Sequence, residues 1–320
     1  MGNKKNVLFS IITPVYNGEN YINQAIKSVI GQTFSRWELL IIDDASEDKS
    51  LSIIKEWEAR DERIKVLQHA DRINKGVSVS RNFGIRFVSG EWIAFLDADD
   101  YWYPHKLESE YQILRSEKNL ALLYSQAKIL DTSNPYTSNK IYGVGNHGLL
   151  KDPFPKLIKG FQGHISSIVV NKNIIVKNNL KFKDNMQFAE DTLFFHKVLS
   201  YGDLFFIPEI LSVYRFHNKS SCSNITSEEK ILGRFSVYEN LLSDYSGRYI
   251  DIISFELTNT GMDKIWKNFL LRPFKYYKLL FITISRILKN KKVNGFHKLF
   301  LLFGPLPMLI KSIKRKFNSY

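Results

Sequence analysis

Short apolar runs alternate with longer segments that mix apolar and polar residues over the first hundred positions of this chain. Short apolar runs between polar residues are typical of buried strands, and the mixed segments have the spacing of amphipathic helices. Strands that alternate with helices predict a mainly parallel sheet with helices on both faces. The strands are predicted at residues 8–13, 37–42, 64–68 and 92–96, and the helices at about residues 21–30, 49–59 and 76–88.

Polar residues follow three of these strands at the point where each strand ends. The carboxyl ends of parallel strands meet along one edge of a sheet, and ligands bind there in open α/β folds. We therefore expect the three polar segments to converge on one crevice. They consist of Thr13, Pro14, Val15, Tyr16 and Asn17 after the first strand, Asp43 and Asp44 after the second, and Asp97, Asp99 and Asp100 after the fourth.

The three acids within residues 97–100 have two explanations that the sequence leaves open. Asp side chains accept hydrogen bonds from backbone N–H groups in turns and at helix starts, and a helix is predicted from residue 105 to about residue 116. Carboxylate oxygens also bind hard divalent cations. One acid is enough for a cap, whereas three acids within four residues repel one another unless a cation lies among them. A divalent metal site is therefore one of the two predictions for this cluster.

Asp43 and Asp44 lie at the end of the second predicted strand. Ser46 and Asp48 follow them and are expected to cap the next helix. Asp43 and Asp44 precede this cap, so their carboxylates are available to accept hydrogen bonds from a base N–H or from ribose hydroxyls. Both are candidates for binding a nucleotide.

Four further residues have the chemistry that a phosphate, a metal or a reacting hydroxyl requires. Gly76 lets the backbone approach a phosphate at a helix start, and Arg81 supplies a planar fork for a phosphate or carboxylate. The ordinary role of an isolated Arg is a surface salt bridge. Asp191 precedes an amphipathic helix and is either an N-cap or a rigidly held general base. His217 ends a predicted strand and is either structural or a contact for a metal or diphosphate.

Composition and charge divide the chain into two parts. Its 320 residues, 44% of them hydrophobic, are enough for one large or two small domains with a sizeable core. Residues 264–320 contain 14 Lys and Arg and no acid, whereas residues 1–263 carry 31 basic and 32 acidic side chains. The net charge of +13 therefore belongs to a basic, apolar tail. The single cysteine, Cys222, excludes an internal disulfide.

The basic tail is predicted to be helical and amphipathic and to make peripheral contact with a membrane. Its apolar run at residues 299–310 is twelve residues long and contains two prolines, so it is too short and too interrupted to cross a bilayer. Apolar residues beside Lys and Arg, without acids, suit an anionic membrane interface. A basic helix packed on the rest of the protein is the alternative. The abundance of Leu, Ile and Phe argues against nucleic-acid binding.

Six segments of the chain resemble, in this order, the successive motifs of glycosyltransferase family 2. Any one of them is a weak match, but six in the right order are specific. The resemblance covers about residues 7–220 and implies a catalytic domain over residues 1–220, followed by a helical, basic region over residues 221–320. The segments are residues 10–17, 42–46, 74–85, 97–100, 190–194 and 214–220.

This resemblance implies a GT-A fold and transfer of a sugar from a nucleotide-sugar, with UDP as the expected nucleotide and with inversion at the anomeric carbon. It also implies Mg²⁺ or Mn²⁺ as the cofactor. The motif Gln-x-x-Arg-Trp is absent from the sequence, which disfavours a processive synthase. A non-processive enzyme of bacterial surface-polysaccharide synthesis is then expected to act from the cytoplasm, at the inner face of the membrane. Its acceptor would be a carbohydrate or a lipid-linked glycan.

The resemblance also implies roles for individual residues. Asp43 matches the acid that pairs with the base of the nucleotide. Asp97 matches a residue near the ribose and the metal, and Asp99 matches the metal ligand on the diphosphate. Asp191 matches the catalytic base. Further contacts with the nucleotide-sugar are expected from Arg81 and His217, which fall where the family often contacts the diphosphate, and from Thr13, Pro14, Val15, Tyr16, Asp44 and Gly76.

Two other classes of protein remain as alternatives. A sugar-phosphate nucleotidyltransferase needs a basic, Gly-rich loop directly after the first strand, and residues 13–19 contain no Lys or Arg. A non-catalytic protein that binds nucleotide-sugars would have lost its acids, whereas Asp43, Asp97, Asp99 and Asp191 are all present. A glycosyltransferase is therefore the preferred prediction.

Overall fold

The structure, a computed structural model, confirms the predicted α/β fold with a central sheet flanked by helices. The strands and helices predicted in the first hundred residues are all present, with ends within three residues of the expected positions. The structure describes residues 7–257 except 133, 135–137, 139, 144, 146, 147, 159, 162, 187, 219, 221, 222, 224 and 246–248, and in addition residues 284, 285, 287–290, 292 and 293.

The strands and helices have the following bounds in the described part of the chain. The strands are β1 (Phe9–Val15), β2 (Trp37–Asp43), β3 (Ile64–Gln68), β4 (Trp92–Phe95), β5 (Tyr101–Trp102), β6 (Leu120–Asp131), β7 (Ile141–Tyr142), β8 (Gly148–Leu150), β9 (Ile168–Asn171) and β10 (Asp203–Phe216). The helices are α1 (Ile22–Ile30), α2 (Ser50–Arg60), α3 (Val77–Ile85), α4 (Lys106–Ser116), α5 (Phe154–Leu157), α6 (Lys172–Lys177), α7 (Glu190–Leu199), α8 (Ser227–Asp244) and α9 (Tyr249–Glu256), with a 3-10 helix at Ile165–Ser167.

The strands form one mixed sheet in the order β3-β2-β1-β4-β9-β6-β10-β5. The first four of these strands are parallel to one another, as the alternation of strands and helices predicts. Strand β9 then runs antiparallel to both of its neighbours, β4 and β6. Strand β10 is parallel to β6 again, and the short strands β5 and β8 pair with it in antiparallel fashion.

Burial on both faces explains why the early strands are almost wholly apolar. Every residue of β1 and β2 is buried, which requires cover on each side of the sheet. Helix α1 supplies part of this cover through Ile22, Ala25, Ile26 and Val29, which recur at helical spacing and are at most 1% exposed. Full burial of a Val or Ile side chain contributes about 1.5–3 kcal/mol to folding.

Helix α3 lies very close to the sheet because of one glycine. A Cβ atom on Gly84 would lie 2.9 Å from Ile42 Cδ1 and 3.0 Å from Ile12 Cγ2, closer than side chains tolerate. The absence of a side chain at Gly84 therefore sets the distance between α3 and the strands β1 and β2. This distance matters for function because α3 carries Arg81.

Contacts between residues divide the chain into two units. One comprises residues 1–154, 160–185 and 190–224, and the other comprises residues 155–159, 186–189 and 225–320. The first unit contains the sheet. The second contains α8, which begins with a capping box between Thr226 and Glu229, and α9. The predicted domain boundary at residue 220 remains a prediction.

The predicted membrane-associating segment falls outside the described residues for almost all of its length. Residues 258–283 and 294–320, which include the apolar run at 299–310, are not described. Within the part of the chain that the structure describes, none of the helices has the length and apolar character needed to span a bilayer.

Candidate active site

The register of the parallel strands brings the predicted polar segments to one edge of the sheet. Val15 pairs with Asp43 across β1 and β2, and Ile12 pairs with Phe95 across β1 and β4. Asp97 therefore follows the end of β4 at the edge where β1 and β2 also end. The convergence expected from the sequence is present in the structure.

The acidic cluster after β4 has the spacing of a cation site. Carboxylate oxygens of Asp97, Asp99 and Asp100 all lie within 4.8 Å of one another. Burial and the neighbouring Asp97 carboxylate raise the pKa of Asp99 above its ordinary value, although His217 opposes this shift. The negative charges therefore destabilise one another in this arrangement, and a hard divalent cation fits it because it would remove the repulsion.

Asp100 holds the loop after β4 in place. Its Oδ1 atom accepts the backbone N–H of Arg215 at 2.8 Å, and its Oδ2 atom accepts the Ser166 hydroxyl at 2.5 Å. Ser166 Oγ in turn accepts the backbone N–H of Asp97 at 3.1 Å. Burial and the nearby Asp99 and Asp97 carboxylates raise the pKa of Asp100 well above its ordinary value. Asp100 therefore links the loop to β10 and to the 3-10 helix.

The predicted metal ligand Asp99 is in contact with His217 at the end of β10. His217 Nε2 lies 3.1 Å from Asp99 Oδ2, and its ring stacks on Tyr21 with 4.8 Å between ring centroids. The sequence alone left His217 between a structural and a ligand-binding role. The structure places it beside the acidic cluster, in contact with Asp99.

Arg215 was not predicted from the sequence, yet it connects three parts of the site. Its guanidinium donates to the backbone oxygen of Asp99 and to Gln24 Oε1, each at 2.6 Å. It also lies over the rings of Tyr21 and Tyr101, at 4.7 and 5.4 Å from their centroids. Its position two residues before His217 in β10 was the available signal, but its partners lie more than a hundred positions away in the chain.

Arg81 bridges the acidic cluster and the start of α7. Its Nη2 atom donates to Asp97 Oδ1 at 2.8 Å, and its Nη1 atom donates to Glu190 Oε1 at 3.1 Å. The side chain is 4% exposed, and its Nε atom has no hydrogen-bond partner among the described residues. Burial lowers the pKa of Arg81, but the carboxylates of Asp97 and Glu190 outweigh this effect and raise it. Arg81 therefore forms a buried salt bridge with two carboxylates, not the surface salt bridge that is the ordinary role of an isolated Arg.

Asp191 lies in the first turn of α7 rather than before it. The helix begins at Glu190, and Asp191 Oδ1 accepts the backbone N–H of Thr192 at 2.5 Å and its hydroxyl at 3.2 Å. Burial and the Asp191 carboxylate raise the pKa of Glu190 above its ordinary value, while Arg81 opposes the shift. The Asp191 carboxylate is thus held at a helix start, close to the Arg81 bridge.

His164 is a site residue that the sequence reasoning missed. Its Nδ1 atom accepts the backbone N–H of Ser166 at 3.3 Å and lies 3.7 Å from Asp100 Oδ2. Burial lowers the pKa of His164 to about 4, although the nearby Asp97 and Asp191 carboxylates favour its charged form. His164 is therefore a neutral ring beside the acidic cluster. Its sequence context, Gly163-His164-Ile165, contains no motif that identifies it.

The two acids after β2 have different surroundings. Asp43 accepts the Gln68 amide at 3.1 Å and the backbone N–H of Ser46 at 3.3 Å. Both oxygens of Asp44 accept backbone N–H groups, from Lys75 and from Gly76, each at 2.8 Å. Asp44 therefore fixes the loop before α3, whereas Asp43 is held by weaker and longer bonds.

Gly76 and the end of β1 complete the predicted nucleotide side of the site. Gly76 has a φ of 85°, which favours glycine, and it precedes the first residue of α3. The Thr13 hydroxyl is buried and has no hydrogen-bond partner among the described residues. Pro14 and Val15 are buried, whereas Tyr16 is 49% exposed. The role of these residues as nucleotide contacts remains a prediction.

A comparison of the chain with models of known protein families agrees with the motifs in the sequence and with the geometry of the site. Residues 10–180 match the family model of Glycosyl transferase family 2. The chain belongs to glycosyltransferase family 2. The aligned region contains the early motifs and the acidic cluster, and β10 and α7 lie beyond its end.

Relatives of this family 2 protein include glycosyltransferases of bacterial polysaccharide synthesis. The Escherichia coli UDP-Glc:alpha-D-GlcNAc-diphosphoundecaprenol beta-1,3-glucosyltransferase WfgD is 39% identical over 127 residues, 40% of this chain and 48% of the relative. The putative teichuronic acid biosynthesis glycosyltransferase TuaG of Bacillus subtilis is 39% identical over 107 residues, 33% of this chain and 42% of the relative. The chain therefore matches less than half the length of either relative.

Solved structures share the fold of this family 2 protein. S. aureus TarS 1–349 in complex with UDP-GlcNAc has a TM-score of 0.69 at 18% identity, covering 91% of this chain and 83% of TarS. The mannosyltransferase PcManGT from Pyrobaculum calidifontis, in complex with GDP-Man and Mn²⁺, has a TM-score of 0.57 at 12% identity, covering 93% of this chain and 84% of its own. These similarities show the GT-A fold.

Proposed function

We propose that this protein is an inverting glycosyltransferase that moves a sugar from a nucleoside diphosphate sugar to an acceptor hydroxyl. The Arg81 bridge carries the proposal, because one guanidinium binds both Asp97 of the acidic cluster and Glu190 at the start of α7. Asp191 is the next residue after Glu190, so the bridge sets a candidate base beside a candidate cation site. Glycosyl transfer needs both charge stabilisation at the leaving diphosphate and a base at the acceptor.

Asp191 is proposed as the general base. An acceptor hydroxyl is a poor nucleophile until a carboxylate removes its proton. Thr192 binds the Oδ1 atom of Asp191 and fixes the orientation of the carboxylate, so the Oδ2 atom is the one proposed to face the acceptor. Attack from the side opposite to the diphosphate inverts the anomeric carbon, and an α-linked donor then gives a β-glycoside.

Asp97 and Asp99 are proposed to hold Mg²⁺ or Mn²⁺. When bound, the cation would offset the negative charge that develops on the diphosphate as the glycosidic bond breaks. His217 fixes the Asp99 carboxylate through the 3.1 Å contact and is proposed to contact the diphosphate as well. Arg81 orients Asp97, and its charge is proposed to favour the diphosphate through space rather than by direct contact.

The nucleotide is proposed to lie along the ends of β1 and β2. Asp43 would accept a hydrogen bond from the base, with Gln68 holding its carboxylate in place. The buried Thr13 hydroxyl, which has no hydrogen-bond partner within the part of the chain that the structure describes, is proposed to bind the nucleotide. Asp44 and Gly76 shape the loop that borders this region. UDP is proposed as the nucleotide because the WfgD and TarS relatives are described with UDP-sugars.

A lipid-linked glycan at the inner face of the cell membrane is proposed as the acceptor. The WfgD relative is named for a sugar carried on diphosphoundecaprenol, which is a membrane lipid. The basic, apolar tail after residue 263 is proposed to bring the site to that surface. A cytoplasmic protein with peripheral membrane contact would combine these two features.

Donor binding with and without a cation tests this proposal. The full-length protein would be melted with UDP, UDP-glucose, UDP-GlcNAc and GDP-mannose, each in Mn²⁺ or in EDTA. A donor present at about a hundred times its Kd stabilises a protein by about 2.7 kcal/mol. We expect a UDP-sugar in Mn²⁺ to raise the melting temperature, and EDTA to remove most of that rise.

Two variants make the cation test specific. Asp99→Asn should abolish the part of the shift that depends on Mn²⁺, because an amide is a poorer ligand for a hard cation. Asp251→Asn, an exposed change in α9, should behave like the wild type. An equal shift in EDTA would show that the acidic cluster needs no metal for donor binding. The absence of a shift with every nucleotide-sugar would contradict the proposed donor.

A further inference from the structure

A cluster of three rings lies beside the acidic cluster and has no role in the proposed transfer step. The rings of His164 and Tyr214 lie 4.2 Å apart between centroids and are inclined by 32°. Tyr142 stands nearly perpendicular to both, at 5.9 Å from His164 and 6.4 Å from Tyr214. We call Tyr142, His164 and Tyr214 the aromatic platform. Its members come from β7, from the residue before the 3-10 helix and from β10.

The platform borders the reacting centre through His164. The His164 Nδ1 atom lies 3.7 Å from Asp100 in the acidic cluster. His164 also accepts the backbone N–H of Ser166, whose hydroxyl donates to Asp100 and accepts the backbone N–H of Asp97. The platform therefore borders the acidic cluster, beside which the acceptor hydroxyl is proposed to react.

One edge of the platform is open to solvent. Tyr142 is 41% exposed and Ile141 is 47% exposed, and both belong to the two-residue strand β7. Strand β7 pairs with β6 through Tyr142 and Ala127, which fixes the backbone at Tyr142, and the ring packs edge-on against His164 and Tyr214. An exposed aromatic ring at a site edge, fixed by a strand, is suited to binding a ligand.

The platform also carries hydrogen-bonding groups. Because Ser166 N–H donates to His164 Nδ1, the neutral ring carries its proton on Nε2 and can donate from there. Tyr142 and Tyr214 each have a phenolic hydroxyl that both donates and accepts. A pyranose ring presents C–H groups on its faces and hydroxyls around its edge. Aromatic faces combined with a few polar groups match that chemistry.

We propose that the aromatic platform binds a pyranose ring of the acceptor and positions its hydroxyl toward Asp191. This inference rests on the proposed glycosyl transfer, and it adds the acceptor subsite and the residues that form it. The Tyr142 ring packs against the face of the sugar, and Tyr214 and His164 contact its edge. The platform includes Tyr214 of β10 and borders the acidic cluster through His164, whereas the nucleotide is assigned to the ends of β1 and β2.

The test is saturation-transfer NMR on the full-length protein with methyl glycosides of GlcNAc, glucose, galactose and mannose, in the presence of UDP and Mn²⁺. At least one glycoside should receive saturation from the wild type. Tyr142→Ala should weaken that binding about threefold or more, because it removes the stacking ring. Tyr142→Phe keeps the ring and should bind within about twofold of the wild type. Ile141→Ala, on the same strand, is the matched control and should leave binding unchanged.

The UDP signals in the same sample separate this inference from the proposed function. If UDP binds and none of the glycosides does, the platform is not an acceptor subsite. Equal glycoside binding by the wild type and Tyr142→Ala would also overturn the assignment. If glycoside binding depends on Tyr142 but no nucleotide or nucleotide-sugar binds, the subsite stands and the proposed donor fails.

Discussion

At the scale of single residues, the candidate site depends on acids that look alike in sequence and differ in their partners. Asp44 accepts two backbone N–H groups, Asp100 accepts an N–H and a hydroxyl, and Asp99 faces His217. The sequence identified the acids, but it could not say which of them hold the backbone. Their partners lie 31 to 118 positions away, so only the folded chain assigns the roles.

Replacing Asp44 should loosen the loop before α3. Asp44→Ala leaves the part-buried N–H groups of Lys75 and Gly76 without their acceptor, and each lost hydrogen bond of this kind costs about 0.5–1.5 kcal/mol. We expect a lower melting temperature and a weaker donor affinity. Asp71→Ala, an exposed change on the same loop, should leave the melting temperature unchanged. Equal melting temperatures for Asp44→Ala and the wild type would contradict a role for Asp44 in holding the loop.

At the scale of elements, local sequence patterns predicted the strands and helices well and predicted their ends less well. Helix α7 begins at Glu190, so Asp191 is inside the helix. The predicted cap Ser46 instead accepts the backbone N–H of Asn17, whereas Asp48 does accept an N–H at the start of α2. Periodicity reports which face of an element is buried, but caps depend on which donor happens to lie nearby in the fold.

A buried acid connects β1, β2 and the loop before β4 and should make stability depend on pH. Glu38 Oε1 in β2 accepts the Ser10 hydroxyl and both the N–H and the hydroxyl of Ser89, at 2.6 to 2.7 Å. Burial raises the pKa of Glu38, but these bonds outweigh it and lower the pKa below its ordinary value. Glu38 therefore adds stability above its unfolded pKa, and this contribution disappears as the pH falls through the folded pKa.

The variant Glu38→Gln should reveal this dependence in urea unfolding. At about pH 7 the variant should be less stable than the wild type by about 1–3 kcal/mol. The reason is that the amide is uncharged and places an NH2 donor where a carboxylate oxygen accepted a hydrogen bond. The difference should shrink as the pH falls below the unfolded pKa of the carboxyl and through its lowered folded pKa, since the wild-type carboxylate then becomes protonated. The exposed variant Glu56→Gln is the control. A difference that stays constant from neutral to acid pH would contradict the ionised network.

At the scale of the whole molecule, the sequence predicted the direction of the strands in the first half of the sheet but not in the second half. Strands β3, β2, β1 and β4 are parallel because helices connect them. Strand β9 enters antiparallel between β4 and β6, and no local pattern marks that reversal. The placement of Arg215 and His217 at the site depends on β10, which reaches it only through this arrangement. In this distant half of the site, the family resemblance indicated Asp191 and His217, whereas Arg215 was not predicted.

The tail gives a prediction for the full-length chain. We expect the protein to pellet with anionic vesicles at low salt and to be partly released at high salt, because Lys and Arg near such a surface contribute about 1 kcal/mol each. Replacing Lys311, Lys314, Arg315 and Lys316 with Glu should reduce pelleting strongly. The matched control replaces four exposed lysines of the body with Glu, and these are Lys27, Lys118, Lys177 and Lys181. Equal pelleting of the two variants would mean that the tail is not the membrane contact.

The most direct test of the account is the configuration of the product together with its dependence on Asp191. A UDP-sugar labelled at the anomeric carbon would be incubated with a short-chain GlcNAc diphosphate lipid and Mn²⁺, and the product linkage read by NMR. We expect a β-glycoside from the α-linked donor. Asp191→Asn should lower turnover by about a hundredfold or more while donor binding persists, and Asp251→Asn should retain full activity. A product with retained configuration, or near-normal turnover in Asp191→Asn, would contradict inverting transfer with Asp191 as the base.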